Sequence, residues 1–192
     1  MIWANKNNQR VQATPKERAN CPLCNEEVIS KCGTINIWHW AHKSDVECDS
    51  FGEPETEWHF NWKKKFPNES QEVRMENHRA DIRTKENIIE LQNSSISFEQ
   101  IEERERFYGY KLIWILNGET LGKNFFPTTK QMGKGYLWNW CPPSWKQSSC
   151  RIYVDKYNFI YQIYGSPSRK GTCLKLSKDA FIIEHGGNPW KK

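Results

Sequence analysis

Large apolar residues recur every four positions between Pro54 and Pro67, at Trp58, Trp62 and Phe66. A repeat of this spacing places the three side chains on one face of an α-helix. Proline suits the first turn of a helix, and it stops a helix when it follows the last turn. The pattern therefore predicts an amphipathic helix with one buried face.

A second helix is predicted from Ser97 to Tyr108. Ser97 and Gln100 have the spacing of a capping box, and Gly109 follows the last periodic residue, where glycine commonly ends a helix. The apolar run at residues 111–116 comes next. Such a continuous run is typical of a strand that is buried on both faces.

Three short strands are predicted between the two helices. Residues 73–75 begin the series, and residues 79–83 and 88–92 form a hairpin whose turn contains Asn87, a residue that tolerates the left-handed conformation. The order is then helix, three strands, helix, strand, and the strand–helix–strand connection predicts a parallel pair. We therefore predict an α/β fold with helices on both sides of a central sheet.

The register of this hairpin places Asp81 opposite Glu90. In an antiparallel pair the residue numbers of opposite residues have a constant sum, and Ile82 is opposite Ile89. The two Cβ atoms would be about 4.5–5.5 Å apart. Gln92 shares their face, since side chains alternate along a strand. Facing carboxylates repel each other, and Mg²⁺ or Mn²⁺ bound by their oxygens would remove the repulsion. The alternative is a solvated polar face, which needs no cation.

Cysteine and histidine residues cluster near the N-terminus. Cys21 and Cys24 form a C-x-x-C turn, and His42 and Cys48 follow a strand-like segment. A pair of ligands that joins a C-x-x-C turn in this way completes a tetrahedral zinc site. The spacing predicts a structural Zn²⁺ held by these four residues.

Two nearby residues leave alternatives open. His39 competes with His42 for one ligand position. Cys32 is a thiol outside the predicted ligand set and is equally compatible with a packing role. The other interpretation of the cluster is a small reduced domain whose cysteines only fill space. Strands are predicted in this part at residues 2–4, 10–12, 27–31 and 34–40.

The pattern weakens after Gly118. Residues 125–146 are rich in Gly, Pro and Trp and predict a loop. A hairpin is predicted from residues 152–154 and 159–164, and a last short strand at residues 181–183.

Composition narrows the class of protein. The chain has 192 residues, a net charge of +5 and ten tryptophans, and basic residues interleaved with aromatics fit a nucleic-acid surface better than a membrane. The chain has no apolar run of membrane-helix length and no signal peptide, so we expect a soluble cytoplasmic protein without a membrane partner. Its seven cysteines are then expected to be reduced or metal-bound. A further group consists of Cys141, Cys150, Cys173 and His185. Its spacing is too irregular to predict a second metal site, and free thiols are the expectation.

Several short motifs occur in an order that resembles the competence protein CoiA-like family. They are the Cys21–Cys24 turn, residues 38–42, residues 57–59 with Lys63, residues 79–82, residues 89–94, and the helix with Arg104 and Tyr108. The resemblance covers residues 1–117 and implies a zinc-ribbon-like module followed by a nuclease domain of the PD-(D/E)xK type. We accordingly expect a zinc-binding β module at 1–50, a restriction-endonuclease-like αβββαβ core at 51–118, and a Trp-rich β extension packed on the core at 119–192.

The resemblance also implies roles for single residues. Asp81 and Glu90 match the metal-binding acids, and the Leu91 carbonyl is a third candidate ligand of a catalytic Mg²⁺ or Mn²⁺. Glu57 matches the acidic residue of the first helix, although it equally suits a helix N-terminus. Gln92 stands where a lysine is usual; its amide can orient a water or a phosphate but adds no charge.

The resulting prediction is a metal-dependent nuclease that hydrolyses DNA in competence, recombination or defence. Candidate phosphate contacts are His59, Lys63, His78, Arg79 and Ser94, although Lys63 also reads as a solvated helix residue and Ser94 as a strand break. A homodimer or other DNA-processing proteins are further candidate partners. The alternatives are a catalytically inactive nucleic-acid-binding protein that uses the zinc module and Trp-rich loops, and a zinc-dependent adaptor.

Overall fold

The computed structural model describes residues 1–43, 48–128, 135–165, 167 and 170–191. The strands are β1 (Trp3–Lys6), β2 (Gln9–Gln12), β3 (Arg18–Asn20), β4 (Glu27–Lys31), β5 (His39–His42), β6 (Gln71–Met75), β7 (His78–Arg83), β8 (Ile88–Gln92), β9 (Leu112–Asn117), β10 (Phe125–Thr128), β11 (Gly135–Trp138), β12 (Arg151–Lys156), β13 (Phe159–Tyr164) and β14 (Lys170–Ser177). The helices are α1 (Glu57–Lys63), α2 (Phe98–Tyr108) and α3 (Lys178–Glu184), with 3₁₀ turns at Asn68–Ser70, Gly109–Lys111 and Pro143–Gln147. None of the helices in these residues is long and apolar enough to cross a membrane.

The first five strands form an antiparallel sheet in the order β2-β1-β3-β4-β5. The predicted N-terminal hairpin is confirmed, with Trp3 opposite Gln12 and Lys6 opposite Gln9. The strand predicted at residues 34–40 is displaced to His39–His42, because residues 34–36 bend before pairing with β4 begins.

The other nine strands form one mixed sheet in the order β10-β11-β14-β13-β12-β9-β8-β7-β6. The predicted hairpin register is confirmed, because Ile82 pairs with Ile89. β8 and β9 are parallel, as predicted for strands joined by α2. Ser97 and Gln100 form the predicted capping box of α2, and Gly109 ends this helix at a φ of 68°.

Residues 119–192 continue this sheet instead of packing on it as a separate extension. β12 pairs in parallel with β9, and β13 and β14 follow by antiparallel pairing. Residues 125–146, predicted as a loop, contain β10 and β11, and β14 was not predicted. β10 and β11 pair with each other, but they join the sheet only where β11 pairs with β14, with Tyr136 opposite Gly171.

The strand predicted at residues 181–183 is also wrong, since these residues belong to α3. An apolar run this short cannot separate a helix from a strand by its periodicity. Ser177 begins the helix, because its hydroxyl accepts a hydrogen bond from the Ala180 N–H.

Apolar layers cover both faces of the central sheet. The layer beneath α1 and α3 contains Trp62, Phe66, Ile82, Ile89, Leu91, Ile113, Ile115, Tyr153, Ile160, Phe181 and Ile182. The layer beneath α2 includes Ile88, Ile101, Tyr108, Leu112, Trp114, Leu116 and Trp145. Glu90 and Gln92 alternate with Ile89 and Leu91, yet they are only 3% and 1% exposed. The polar face of the hairpin is therefore inside the protein, which excludes the solvated alternative.

Asp155 ties β12 to the helices on one face of the sheet. Its carboxylate accepts hydrogen bonds from the indoles of Trp58 (2.8 Å) and Trp62 (2.7 Å) and pairs with Lys178. We expect Asp155→Ala to lower the free energy of unfolding by about 3 kcal/mol, because two indole N–H groups and a lysine lose their partner. Urea unfolding measures this loss. The exposed Asp179 is the control: Asp179→Ala should cost less than about 1 kcal/mol, and equal losses would contradict the assignment.

Candidate metal centres and active site

Cys21, Cys24, His42 and Cys48 come together as predicted, with ligand atoms that all lie within 4.8 Å of one another. The Sγ atoms of Cys21 and Cys48 are 3.8 Å apart, and Cys24 Sγ is 3.3 Å from His42 Nε2. Tetrahedral zinc bonds of about 2.3 Å to sulfur and about 2.0 Å to nitrogen separate the ligand atoms by about 3.5–3.8 Å. The four residues form a Cys₃His cluster that can bind a metal ion such as zinc.

The electrostatics of this cluster also fit a cation. Burial and the neighbouring thiol of Cys21 raise the pKa of Cys48 to about 12. Without a cation this thiol stays protonated, whereas a bound divalent ion stabilises the thiolate. Of the competing residues, His39 places its Nδ1 2.8 Å from the Ile37 carbonyl, and Cys32 packs against the small core of the module.

The four cysteine and histidine candidates near the C-terminus do not form a comparable cluster within the described residues. Burial raises the pKa of the Cys141 and Cys150 thiols to about 11 each. Both are free thiols, and Cys141 is buried whereas Cys150 is partly buried.

Asp81 and Glu90 stand where the backbone pairing of β7 and β8 gives way to side-chain hydrogen bonds. The Asp81 N–H donates to Glu90 Oε1 (3.3 Å), and the Leu91 N–H donates to Asp81 Oδ2 (2.9 Å). Burial and the adjacent Asp81 charge raise the pKa of Glu90 to about 8. Burial opposes ionisation of Asp81 as well, but Lys63 and His59 outweigh it and lower the Asp81 pKa. A divalent cation would relieve the crowding of these two carboxylates.

Lys63 projects from the last turn of α1 into this pair instead of facing solvent. Its ammonium is 2.9 Å from Asp81 Oδ1, 2.8 Å from Glu55 Oε2 and 3.1 Å from Glu72 Oε1, and its side chain is only 3% exposed. Burial disfavours the ammonium, but the three carboxylates outweigh it and raise the Lys63 pKa. The prediction of a solvated helix residue is wrong, and Lys63 places a permanent positive charge on Asp81.

Glu72 connects the N-terminal sheet to this cluster. Its carboxylate accepts the N–H groups of Ile2 (2.9 Å) and Trp3 (3.1 Å) in addition to the Lys63 ammonium. The Trp3 indole donates to the Gln71 side chain at 3.0 Å. The strand that begins the zinc-binding sheet is thus connected to Asp81 through two residues, Glu72 and Lys63.

Gln92 lies between a cation and an anion. Its carbonyl oxygen accepts from Arg104 (3.1 Å), and its amide donates to Glu53 Oε1 (3.0 Å) and the Ser94 carbonyl (2.9 Å). Arg104 reaches it from α2, where the guanidinium packs over the rings of Phe51 and Trp114. The amide at this position is therefore held in a fixed orientation, with a guanidinium beside it.

Two models of known protein families match the chain. Residues 3–51 match the model of the competence protein CoiA N-terminal domain, and residues 58–153 match the model of the competence protein CoiA nuclease-like domain. The chain belongs to the competence protein CoiA family. No curated protein and no solved structure matches the chain. The nuclease-like match passes residue 118 and ends inside β12, in line with the continuous sheet.

The acidic residues beside the β7–β8 hairpin are Glu53 and Glu55, not the expected Glu57 of the first helix. Glu57 is exposed on the first turn of α1 and lies outside the matched ranges. Glu53 and Glu55, from the segment before α1, line the cleft together with Asp81 and Glu90. The buried Oε1 of Glu55 has no hydrogen-bond partner within the described residues. These two residues carry no sequence periodicity, so only their acidic character could have drawn attention to them.

The expected phosphate contacts divide into two groups in this CoiA-family structure. His78 is buried, stacks on Phe51 with ring centroids 3.5 Å apart, and places its Nδ1 3.1 Å from Asp49 Oδ1, so its prediction as a phosphate contact is wrong. Arg79 lines the cleft, and the carboxylates of Glu72 and its neighbours outweigh burial and raise its pKa.

The second group of expected phosphate contacts is His59, from α1, and Ser94, which follows β8. Both contact Glu53. His59 Nδ1 accepts the Thr56 N–H, so its Nε2 carries the proton and points at both Glu53 (3.0 Å) and the Leu91 carbonyl (3.1 Å). Ser94 is exposed, and its N–H and hydroxyl both donate to Glu53.

Most tryptophan side chains of this CoiA-family chain are buried in the core. Trp114, Trp138 and Trp145 are fully buried, whereas Trp140 and Trp190 are exposed. The Trp-rich segment predicted as a set of stacking loops therefore presents one exposed indole, at Trp140. This weakens the interpretation as a binder that relies on Trp-rich loops.

Proposed function

We propose that the protein is a metal-dependent nuclease that hydrolyses DNA phosphodiester bonds. The observation that carries the proposal is the pair Asp81 and Glu90, which lie side by side in the cleft, with Glu90 buried, within the range that matches a nuclease-like domain. The element order α1, β6, β7, β8, α2, β9 supports a core of the PD-(D/E)xK type, in which this hairpin bears the acidic residues. A role in competence, recombination or defence is part of the proposal.

Asp81 and Glu90 would hold Mg²⁺ or Mn²⁺, together with the Leu91 carbonyl. A bound ion would draw charge from the scissile phosphate and acidify a water molecule. Glu55, with its unpartnered oxygen in the cleft, is better placed than Glu57 to orient such a water. We therefore assign the acidic position on the helix side to Glu55.

Lys63 and Arg104 supply the positive charge that a lysine at position 92 would have provided. Lys63 contacts Asp81 from α1, and Arg104 holds Gln92 from α2. Charge developing on a phosphate beside Asp81 would thus meet two fixed cations, a form of stabilisation that needs no reorganisation. Gln92 would orient the phosphate or the water through its amide.

Incubation of plasmid and single-stranded DNA with the zinc-loaded protein, with and without Mg²⁺ or Mn²⁺, tests the proposal. Metal-dependent cleavage is expected, and absence of cleavage under every condition would overturn it. The second candidate is a nucleic-acid-binding protein without activity. It is favoured by the small volume of the cleft, about 20 Å³, which holds a single water.

Metal binding at this site should depend on pH through Glu90. Its pKa of about 8 means that an ion must displace a proton at lower pH, so affinity should fall roughly fiftyfold from pH 8 to pH 6. Calorimetric titration with Mn²⁺ measures this. The zinc sites must be saturated beforehand.

The same shift affects stability without added metal. A carboxyl whose pKa is raised on folding favours the folded state at pH below about 4.5, and this contribution is lost as the pH rises through about 8. Glu90→Gln should remove the decline of unfolding free energy in this window. A decline that persists in the variant would contradict the assignment of the pKa to Glu90.

A further inference from the structure

The segment between the zinc cluster and α1 covers the carboxylates of the proposed active site. Residues 52–56 have no regular secondary structure. Phe51, Gly52, Glu53 and Glu55 form one wall of the cleft, whose volume is about 20 Å³. A space of this size holds about one water molecule and no phosphodiester.

Glu53 fastens this segment to the end of β8 through many hydrogen bonds. Its carboxylate accepts the N–H groups of Asn93 (2.9 Å) and Ser94 (2.6 Å), the Ser94 hydroxyl, the Gln92 amide (3.0 Å) and the His59 Nε2–H (3.0 Å). Its side chain is only 12% exposed. Although burial opposes ionisation, these donors outweigh it and lower the Glu53 pKa.

The donors do not come from the segment that they hold. Two are backbone N–H groups just beyond β8, and the other three are side chains of β8, α1 and the β8–α2 connection. Backbone N–H groups, hydroxyls and side-chain amides are the neutral groups that proteins most often use to contact nucleic-acid phosphates. A phosphate oxygen accepts from such donors as a carboxylate does.

We propose that these five donors form a binding site for a backbone phosphate of the nucleic-acid substrate, and that Glu53 occupies the site until substrate displaces it. The phosphate-binding site is defined by the Asn93 and Ser94 N–H groups and by the side chains of Gln92, Ser94 and His59. The inference rests on the proposed function, because it places the phosphate next to the scissile position at Asp81 and Glu90.

Displacement exchanges one anion for another and needs only a short stretch of chain to move. Phe51 anchors one end by stacking on His78, and Glu55 anchors the other, because its carboxylate pairs with the buried Lys63 ammonium at 2.8 Å. Residues 52–54 lie between these anchors. Their movement would open the cleft and leave both the zinc cluster and α1 in place.

Binding of fluorescein-labelled single-stranded and duplex oligonucleotides tests the inference by anisotropy, with zinc-loaded protein and no added Mg²⁺ or Mn²⁺. We expect Glu53→Ala to bind about tenfold more tightly than the wild type, the factor for a site that is free in about a tenth of molecules. Glu53→Gln keeps the size of the side chain and should also bind more tightly. Adding Ser94→Ala to Glu53→Ala should remove most of the gain.

Glu86→Ala is the matched control, because Glu86 is an exposed carboxylate in the turn of the same hairpin. It loses the same charge but frees no donors, so its affinity should change less than about twofold. The inference is overturned if both Glu53 variants bind no more tightly than this control.

Cleavage assays on the same variants separate this inference from the proposed function. Tighter binding by the Glu53 variants, with no cleavage by the wild type or by any variant, would support the phosphate site and overturn the nuclease proposal. Metal-dependent cleavage by the wild type, with no gain in binding by the Glu53 variants, would support the nuclease and overturn the phosphate site.

Discussion

Replacing Asp81 with Asn should reduce metal-dependent DNA cleavage by about a thousandfold. The amide keeps the size of the side chain and can still accept the Leu91 N–H, but it loses the charge that binds the cation and the ion pair with Lys63. Loss of metal-ion stabilisation is worth several kcal/mol of barrier, and about 4 kcal/mol corresponds to this factor. Initial rates on plasmid DNA at saturating Mn²⁺ measure it, and Glu90→Gln should have a similar effect.

Two controls make this result specific to the site. Asp179→Asn changes an exposed aspartate on α3 in the same way and should leave the rate unaltered. The unfolding free energy of Asp81→Asn should be measured as well, because Lys63 keeps only two of its three carboxylates in this variant. Cleavage by Asp81→Asn at the wild-type rate would place the active site elsewhere.

Replacing Cys24 with Ser should abolish tight zinc binding and unfold the N-terminal sheet. The core of this sheet is small, and Trp40 is its one large aromatic residue within the described part of the chain. A structural zinc ion contributes about 10–16 kcal/mol of apparent binding free energy, which such a core cannot replace. Zinc content by mass spectrometry and limited proteolysis of residues 1–43 would report the change.

Cys32 offers the matched control in the same sheet. It is a free cysteine that packs against the module core, outside the four-residue cluster. Cys32→Ser should retain one zinc per chain and resist proteolysis. Stoichiometric zinc in Cys24→Ser would contradict the assignment of the ligands.

Loss of zinc should also weaken the proposed active site, because Glu72 connects the zinc-binding sheet to Lys63. Glu72 accepts the N–H groups of Ile2 and Trp3 and pairs with Lys63. When β1 unfolds, the Glu72 carboxylate loses these donors and Lys63 loses its fixed position. We therefore expect the zinc module to have a structural role that extends to the proposed catalytic residues.

Much of the fold followed from local sequence patterns. The register of β7 and β8, the capping box of α2, its glycine stop and the Cys₃His cluster all join residues that lie close together in the chain. Turn geometry, capping and ligand spacing act over such short distances, and the sequence contains the residues that decide them. The same reasoning failed for α3, where a short apolar run fits a helix and a strand equally well, and it missed β14, whose sequence has no continuous apolar run.

The hairpin shows where sequence reasoning ends. By itself, the sequence determined that Asp81 and Glu90 face each other and that Gln92 follows on the same side, because a two-residue period leaves no other arrangement. Only the tertiary structure decided that this face is buried, that Lys63 rests on Asp81 and that Glu53 closes the cleft. Lys63 and Asp81 are 18 positions apart in the chain, and Glu53 and Ser94 are 41 apart. Ile2 and Glu72, which connect the N-terminal sheet to Lys63, are 70 apart. These contacts depend on how the zinc module and α1 pack on the sheet, and no short-range pattern records that packing.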